Sequence, residues 1–452
     1  MQGYCKVKHL RLIRPELSLG LAIIFGLAIF PDYAMAAGPK ASLRGPKASL
    51  RSTAIKNIKN KKKTPTYVIR KRVHPVLPKA TPRPRPSSPT PIAFRLSPDG
   101  VAIFPTLPDL DYRFAGRVAG AGTARELIFY SLSPGLQDAA EELVRDAGAP
   151  HVAVVAMEPK TGRILALAQH SSTLPNAALH ADFPAASLFK LTTSTAALDR
   201  NLLSPSSKIY FRGGDYTLNL NNYKPNPKQD HRVMTLTEGL GKSCNPVFAR
   251  VALQQGLSPA ILSQYARLFG FNSNLGFNVP LKSSTAKIPS GAYELARTAA
   301  GFGDVHISAV HAATLMSGIA NEGMLPQPNM VDHIISANGA LLYRAEPLYL
   351  QRMMRPTTAR TLLGMMSYTT TNGTSKYAFA PGGKPVMPDI QVAAKTGTLR
   401  GSNPPGLNRL FIAAAPISNP KIAVAVVVVN AGIPSSRPSY IGRRLIQRYL
   451  EG

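Results

Sequence analysis

The sequence predicts an α+β fold in which one sheet joins both ends of the folded part of the chain. Four apolar runs of strand length carry this prediction: residues 152–157, 163–168, 410–415 and 421–429. Pro159-Lys-Thr-Gly162 separates the first two runs and Ser418-Asn-Pro420 separates the last two, so each pair is predicted to form a hairpin. Between the pairs, apolar residues mostly follow helical spacing, as in Pro259–Leu268 and Ser308–Ala320.

The first residues of the chain are typical of an export signal. Basic residues up to Arg14 precede a largely apolar run from Leu17 to Phe30, and Ala34-Met-Ala36 is a small-residue cleavage site. A run of this length is short for a bilayer span, which needs roughly 20 residues. We therefore expect residues 1–36 to be a signal peptide, with an uncleaved signal anchor as the alternative. Both interpretations predict export, to the periplasm or the outer face of the cytoplasmic membrane.

Residues 37–95 are basic and rich in proline. They contain 16 Lys and Arg residues but no Asp or Glu, in a chain whose net charge is +30. Gly38–Arg44 is repeated directly as Gly45–Arg51. Because charge repulsion and fixed proline φ angles favour extended chain, we expect a disordered linker. It would act as a spacer that is weakly attracted to an anionic membrane or wall polymer. Because we expect the chain to be exported, we do not expect nucleic acid as a partner.

The rest of the chain is predicted to form a short lead-in, residues 96–150, and one main domain, residues 151–452. The lead-in ends in a predicted helix at 135–147. The main domain is long enough for one sizeable core. Near its end we expect an alternating strand at Ile390–Ala394 and an amphipathic helix at Ser439–Leu450.

The chain has two cysteines, and Cys5 lies in the predicted signal segment. Cys244 would then be alone, which excludes a disulfide framework and a cysteine metal site. An unpaired cysteine in an oxidising compartment is usually buried and unreactive, and we expect this of Cys244. No histidine has metal-ligand neighbours in the sequence, so we expect no metal and no cofactor.

Ser187-Leu-Phe-Lys190 opens a predicted helix and supplies a hydroxyl and an amine one turn apart. A neutral lysine amine can accept the serine proton, which requires a pKa lowered by desolvation or by nearby positive charge such as Lys395. The helix N-terminus would also direct backbone N–H groups at an oxyanion formed there. Taken alone, a serine at a helix start is most often an N-cap.

Ser243-Cys-Asn245 precedes another apolar helix. We expect Ser243 to relay a proton toward the leaving group. We expect Asn245 to offer both a donor and an acceptor to a substrate amide. A polar loop that only caps the helix is the alternative.

Lys395-Thr-Gly-Thr398 follows the predicted strand. Gly397 would permit close approach of another backbone, so a substrate chain could pair along this edge. Lys395, Thr396 and Thr398 would then receive its terminal carboxylate. The Thr398 N–H would complete an oxyanion hole with the N–H of Ser187. The alternative, a strand ending at an ordinary turn, leaves the lysine and threonines unexplained.

The three motifs, in this order, resemble those of the penicillin-binding protein transpeptidase family, in the superfamily of serine D,D-peptidases and β-lactamases. The likeness covers residues 126–450, and Ala156–Leu167 and Asn372-Gly-Thr-Ser375 are also similar to family elements. It is nearest to the class B members, without their large N-terminal pedestal. The chain departs from the family at Ala185-Ala186, where a glycine is common, and at Ser308–His311.

The resemblance implies a penicillin-recognition fold: an antiparallel sheet flanked by helices, a helical subdomain, and an active site in the cleft between them. The predicted catalytic residues are Ser187, Lys190, Ser243 and Lys395, and the predicted substrate-binding residues are Asn245, Thr396, Gly397 and Thr398. The resemblance further implies that peptidoglycan stem peptides ending in D-Ala-D-Ala acylate Ser187, and that β-lactams acylate the same serine.

The first expectation is therefore a peptidoglycan D,D-transpeptidase, in which an amine on a neighbouring strand receives the acyl group. Water as the acceptor would instead give a D,D-carboxypeptidase or a serine β-lactamase. A β-lactam sensor or wall-binding module without turnover is the non-enzymatic alternative.

Overall fold

A computed structural model of the chain describes residues 85–433 and 436–452. The strands, numbered β1 to β20 in chain order, are Pro91–Ile92, Arg95–Leu96, Ala102–Ile103, Arg113–Phe114, Arg117–Gly122, Leu127–Tyr130, His151–Met157, Ile164–Ser171, Phe183–Pro184, Lys208–Phe211, Arg232–Thr235, Thr285–Ala286, Val305–Ile307, Met324–Pro326, Val331–Ile335, Leu341–Arg344, Tyr349–Arg352, Ala393–Ser402, Pro405–Ala415 and Ile422–Val429. The helices, α1 to α11, are Pro134–Asp146, Phe189–Asp199, Leu236–Gly241, Asn245–Gln254, Pro259–Leu268, Ala292–Ala299, Ala309–Ala320, Pro356–Met366, Tyr368–Thr371, Lys376–Phe379 and Pro438–Glu451. Two 3₁₀ turns span Ala186–Leu188 and Pro381–Gly383.

A five-stranded antiparallel sheet lies at the centre, in the order β18-β19-β20-β7-β8. It joins both ends of the main domain because Val424 of β20 pairs with Ala156 of β7. β7 and β20 are buried along both faces, which explains their nearly continuous apolar sequences. β18 is an edge strand of this sheet, so one of its sides is free to approach other groups.

Apolar side chains cover both faces of the central sheet. Successive residues of a strand point to opposite faces, so Val155 joins the larger core and Val154 joins the second core. α1 and α11 pack over the second core, whereas α7 packs against the larger one. This arrangement confirms the predicted α+β fold and both predicted hairpins.

A helical subdomain is built around α2. This helix contacts α4, α5, α6 and α8. Every residue of α2 except Asp199 is buried. The helix therefore carries Lys190 into the interior.

A second sheet brings the predicted lead-in together with a distant part of the chain. β6 pairs with β15, so that Ile128 lies opposite Ile334. Residues 96–150, predicted as a short lead-in segment, therefore contribute strands to a sheet that includes β15 of the main domain. Strand pairing also starts before residue 96, because Pro91–Ile92 pairs with Ala121 and Gly122. The predicted linker, residues 37–95, therefore extends too far along the chain. These partners are distant in sequence, which local patterns do not reveal.

Most predicted helices lie where the sequence indicated. Pro259–Leu268 has the same bounds, and α1 and α11 cover the predicted helices at 135–147 and 439–450 within a residue or two. The strand predicted at Ile390–Ala394 is wrong, because β18 begins at Ala393 and continues through the third motif to Ser402. Pairing with β19 along this whole length sets those bounds.

The predicted signal segment 1–36, Cys5 and the greater part of the predicted linker lie outside the described residues. Among the helices of the described part, none has both the length and the apolar character needed to cross a bilayer.

Candidate active site

Ser187 lies in a 3₁₀ turn that leads directly into α2. The preceding residue, Ala186, has a φ of +49°, in the left-handed region that costs a residue with a Cβ about 1 kcal/mol or more. This is where the resembled family commonly has a glycine. Gly301, with a φ of +95°, lies against the turn, and a Cβ there would collide with the Ala186 carbonyl oxygen. The serine is therefore held on a strained turn by close backbone packing.

Lys190 is fully buried beneath this turn. Its Nζ lies 2.7 Å from Ser187 Oγ, 2.7 Å from Asn245 Oδ1 and 2.6 Å from the Ala300 carbonyl oxygen. The ring of Phe248 lies on another side, with its centroid 5.5 Å from Nζ. The amine thus has three oxygen neighbours and no exposed surface.

The number of hydrogens on Lys190 decides what its amine can do. Burial, and after it the positive charge of Lys395, lowers the pKa of Lys190 well below its usual value. A neutral amine has two N–H groups and one lone pair. Since two of its neighbours are carbonyl oxygens that can only accept, they take the two N–H groups. In this neutral form, the lone pair is left for the hydroxyl of Ser187, which can donate to it.

Ser243 and Lys395 form a second hydroxyl–amine pair. Lys395 is fully buried, and its Nζ donates to Ser243 Oγ at 2.8 Å and to the Thr396 carbonyl oxygen at 2.8 Å. Burial lowers the pKa of Lys395 to about 7. The expectation that Lys395 itself receives a carboxylate is not supported, because its side chain has no exposed surface. Its amine reaches the cleft only through Ser243.

Asn245 begins α4, and its side-chain amide is held at both ends. Nδ2 donates to the Tyr216 carbonyl oxygen at 2.8 Å, and Oδ1 accepts from Lys190. These partners fix the orientation of the amide. One N–H of Nδ2 and one lone pair of Oδ1 remain for a ligand, so the use of Asn245 as a donor and an acceptor for a substrate amide stays a prediction.

A buried ion cluster anchors the loop that supplies Tyr216. Arg250 of α4 is fully buried and lies 3.1 Å from the Asp230 carboxylate, which Arg212 also contacts at 2.8 Å. Arg250 also donates to the Asn222 carbonyl oxygen at 3.0 Å. The loop between β10 and β11 is thereby tied to α4. Sequence reasoning missed this cluster because its members have no recognisable spacing.

The third motif lies on β18, whose open edge adjoins the turn of Ser187. A Cβ added at Gly397 would lie only 3.3 Å from the Ala185 carbonyl oxygen, so glycine lets the strand approach the turn. Thr396 Oγ1 is 2.6 Å from Thr374 Oγ1. The structure thus brings all three predicted motifs to one place.

These groups line a cleft of about 510 Å³. The lining residues that the motifs predicted are Ser187, Ser243, Asn245, Thr396, Gly397 and Thr398. Sequence reasoning missed others, including Tyr216, Thr374, Tyr377, Arg409 and Arg437. The similarity at Asn372-Gly-Thr-Ser375 was a signal for Thr374, whereas the rest come from elements without a recognisable motif.

Cys244 and His311 are buried in the interior, away from the lining of the cleft. Cys244 is buried, as predicted, and burial raises the pKa of its thiol to about 11. His311 is buried with Nε2 at 2.8 Å from the Phe269 carbonyl oxygen, and burial lowers its pKa to about 4. Neither residue lines the cleft.

Comparisons with known proteins agree with this geometry. Residues 152–446 match the family model of the penicillin binding protein transpeptidase domain. The peptidoglycan D,D-transpeptidase PbpA of Mycobacterium tuberculosis is 29% identical over 367 residues, which cover 71% of this chain and 72% of the relative. The crystal structure of PBPA from Mycobacterium tuberculosis has a TM-score of 0.59 and 26% identity, covering 74% of this chain and 81% of that chain. The imipenem acyl-enzyme complex of the same protein has a TM-score of 0.58 and 27% identity, with 74% and 80% covered.

Proposed function

The chain belongs to the penicillin-binding protein transpeptidase family, and we propose that it is a peptidoglycan D,D-transpeptidase that forms an acyl-enzyme on Ser187. One observation carries the assignment of the nucleophile: Ser187 Oγ lies 2.7 Å from the amine of Lys190, whose pKa burial lowers well below its usual value. The D,D-transpeptidase name of the Mycobacterium tuberculosis relative supports the activity, and the acyl-enzyme complex of PBPA with imipenem supports the covalent step.

In the acylation step, the Lys190 amine takes the proton of Ser187 and the serine oxygen attacks the penultimate carbonyl of a D-Ala-D-Ala stem peptide. The peptide pairs along the open edge of β18. The N–H groups of Ser187 and Thr398 stabilise the oxyanion, and the remaining N–H of Asn245 binds the peptide backbone.

In the release step, the nitrogen of the terminal D-Ala receives a proton through Ser243, which is hydrogen-bonded to Lys395 at 2.8 Å. The hydroxyls of Thr396 and Thr398 bind the carboxylate of the leaving residue. An amine of a neighbouring strand then attacks the acyl-enzyme, and the protons move in the reverse direction. β-Lactams acylate the same serine.

The reaction takes place outside the cytoplasmic membrane, where peptidoglycan lies. Residues 1–36 would direct export. The basic segment 37–95 would act as a spacer that an anionic membrane or wall polymer attracts weakly. The expectations for residues up to 84 stay predictions, because that stretch lies outside the described residues.

Labelling of the full chain with a fluorescent penicillin tests the nucleophile. We expect one durable covalent label, which Ser187→Ala abolishes. Ser206→Ala is the matched control, since this serine is exposed and does not line the cleft. Absence of label in the wild type would refute the assignment of Ser187. Rapid loss of label with hydrolysis of the drug would favour a β-lactamase.

A muropeptide assay tests the acceptor. With strands that carry D-Ala-D-Ala stems, we expect cross-linked dimers that depend on Ser187. Trimmed stems without any dimer would indicate a D,D-carboxypeptidase and contradict the transpeptidase proposal.

A further inference from the structure

The loop between β10 and β11 reaches the cleft at Tyr216 but buries few of its side chains. It spans residues 212–231, all of which the structure describes, and only Asn222 and Asp230 among them are buried. Because both of these side chains are polar, the hydrophobic effect contributes little to the conformation of the loop. Polar contacts with the rest of the molecule must therefore hold it.

Arg250 of α4 contacts both buried residues of the loop. Its guanidinium group is fully buried, with Nη2 3.1 Å and Nε 3.3 Å from the Asp230 carboxylate. Nη1 donates to the Asn222 carbonyl oxygen at 3.0 Å and also to the carbonyl oxygen of Tyr223. A planar guanidinium fork can bind a carboxylate with two N–H groups while its other N–H groups reach further acceptors, and an ammonium group has no such fork. One side chain thus fixes the middle and the end of the loop.

Asp230 joins the loop to itself as well as to α4. Arg212, the first residue of the loop, lies 2.8 Å from the Asp230 carboxylate, and the Asn226 N–H donates to it at 2.9 Å. The carboxylate therefore connects the start, the middle and the end of the loop to Arg250. Because a buried ion pair adds little net stability compared with apolar side chains of similar size, stability alone is a weak reason for placing one here.

The loop contacts α4 a second time at Asn245, where the helix begins. The Asn245 N–H donates to the Asp215 carbonyl oxygen at 2.6 Å, and Nδ2 donates to the Tyr216 carbonyl oxygen at 2.8 Å. Oδ1 of the same amide accepts from Lys190 at 2.7 Å. An amide that turned over would present Nδ2 to the Lys190 amine, which would lose an acceptor. The position of the loop therefore sets the orientation of Asn245 and, through it, one contact of the proposed base.

We propose that Arg250 and Asp230 are positioning residues for the acylation of Ser187: they fix the loop so that its carbonyl groups hold Asn245 Oδ1 against Lys190. Neither member of the pair lines the cleft, so both act through Asn245 and not by contact with a substrate. This inference rests on the proposed function, because its effect is read in that acylation step.

The rate at which a fluorescent penicillin in excess acylates the full chain tests the inference. Arg250→Lys keeps the positive charge but removes the fork. We expect its acylation to be about ten- to a hundredfold slower, as for a displacement of about 1 Å at a reacting site. The labelled fraction at the end of the reaction should equal that of the wild type, because every folded chain still has Ser187. A role in stability alone would lower the labelled fraction and leave the rate of the folded chains unchanged.

A double-mutant cycle shows whether the pair acts through Asn245. Asn245→Ala removes the amide that the loop orients, so adding Arg250→Lys to it should change the rate by less than about threefold. Residues that act as one unit give such non-additive effects, whereas independent residues give effects that add. Asp230→Asn should give the same results from the other side of the pair, and it replaces Arg250→Lys in the cycle if that variant does not fold.

Arg113→Lys is the matched control. Arg113 is also nearly buried, with 11% of its side chain exposed, and it lies 2.9 Å from the Asp138 carboxylate. Like Arg250 it donates to two carbonyl oxygens, those of Leu110 and Tyr112. It lies on β4 and does not line the cleft, so the substitution should leave the acylation rate at the wild-type value.

Three results would overturn the inference. The first is an acylation rate within threefold of the wild type for both Arg250→Lys and Asp230→Asn. The second is a lower labelled fraction at an unchanged rate, and the third is a full additional loss of rate in the Asn245→Ala background. Failure of the proposed function would be seen differently, because the wild type itself would then take no label on Ser187.

Discussion

The burial of Lys395 leads to a stability prediction for Lys395→Met. The lysine has no exposed surface, and burial lowers its pKa to about 7 from an ordinary value of 10.5. Methionine has a similar length and no charge, so it removes the buried ammonium and still fills the space. The substitution also removes the N–H groups that donate to Ser243 Oγ and to the Thr396 carbonyl oxygen, which lowers stability.

The sign and size of the effect follow from proton binding. Since the folded pKa lies below the unfolded one, the unfolded chain binds more protons between about pH 7 and pH 10, and the free energy of unfolding of the wild type rises with pH there. Each pKa unit corresponds to about 1.4 kcal/mol. Burying the charged amine of Lys395 therefore lowers the free energy of unfolding by roughly 5 kcal/mol at pH values below its folded pKa. This cost falls by roughly 2 kcal/mol between pH 7 and pH 9.

We expect Lys395→Met to be more stable than the wild type by roughly 2 kcal/mol at pH 7, after the lost hydrogen bonds are subtracted. This advantage should shrink by roughly 2 kcal/mol at pH 9. Urea unfolding of the full chain at a series of pH values measures it. Lys421→Met is the control, because that lysine is exposed and the substitution removes no buried charge. A difference between Lys395→Met and wild type that does not depend on pH, or that grows with pH, would refute the reasoning.

Two further predictions concern the turn of Ser187. Lys190→Ala should slow acylation by fluorescent penicillin by about 10²–10⁴-fold, and a time course within threefold of the wild type would contradict the role of Lys190 as a base. Gly301→Ala should lower the free energy of unfolding by about 1–3 kcal/mol and slow acylation, because its Cβ collides with the Ala186 carbonyl oxygen. Gly364→Ala, on an exposed position of α8 with open space around it, should instead add up to about 1 kcal/mol to the free energy of unfolding. Thermal denaturation of both glycine variants and the wild type measures these changes.

The inner strands β7 and β20 of the central sheet could be predicted from the sequence because they are buried on both faces. Such strands are nearly all apolar, as in Ile422–Val429, and a local pattern is enough to find them. The second sheet could not be predicted in this way. Its strands are short, and the partner of Ile128 lies at Ile334, so nothing near either residue indicates the pairing.

The motif residues of the site could be predicted because their side chains carry the chemistry. Their hydrogen-bond partners could not, because two of these are the main-chain carbonyl oxygens of Ala300 and Tyr216. Any residue type supplies such an oxygen, so the sequence contains no signal for it. These contacts orient Asn245, because its Oδ1 accepts from Lys190 while its Nδ2 donates to the Tyr216 carbonyl oxygen.

The surroundings of Ser187 combine several features that each destabilise the fold. Two lysine amines are buried, and Ala186 and Ser243 both adopt left-handed backbone conformations that cost about 1–3 kcal/mol each. An apolar replacement of a buried charge is often neutral or stabilising, so stability alone does not account for this arrangement. Proton transfer does account for it, because burial lowers the pKa of an amine and so favours the neutral form that can accept a proton. Burial of Lys190 in turn requires that its N–H groups have acceptors, and Asn245 and Ala300 provide them. Substitutions that relieve these costs are therefore expected to stabilise the chain and to impair acylation together.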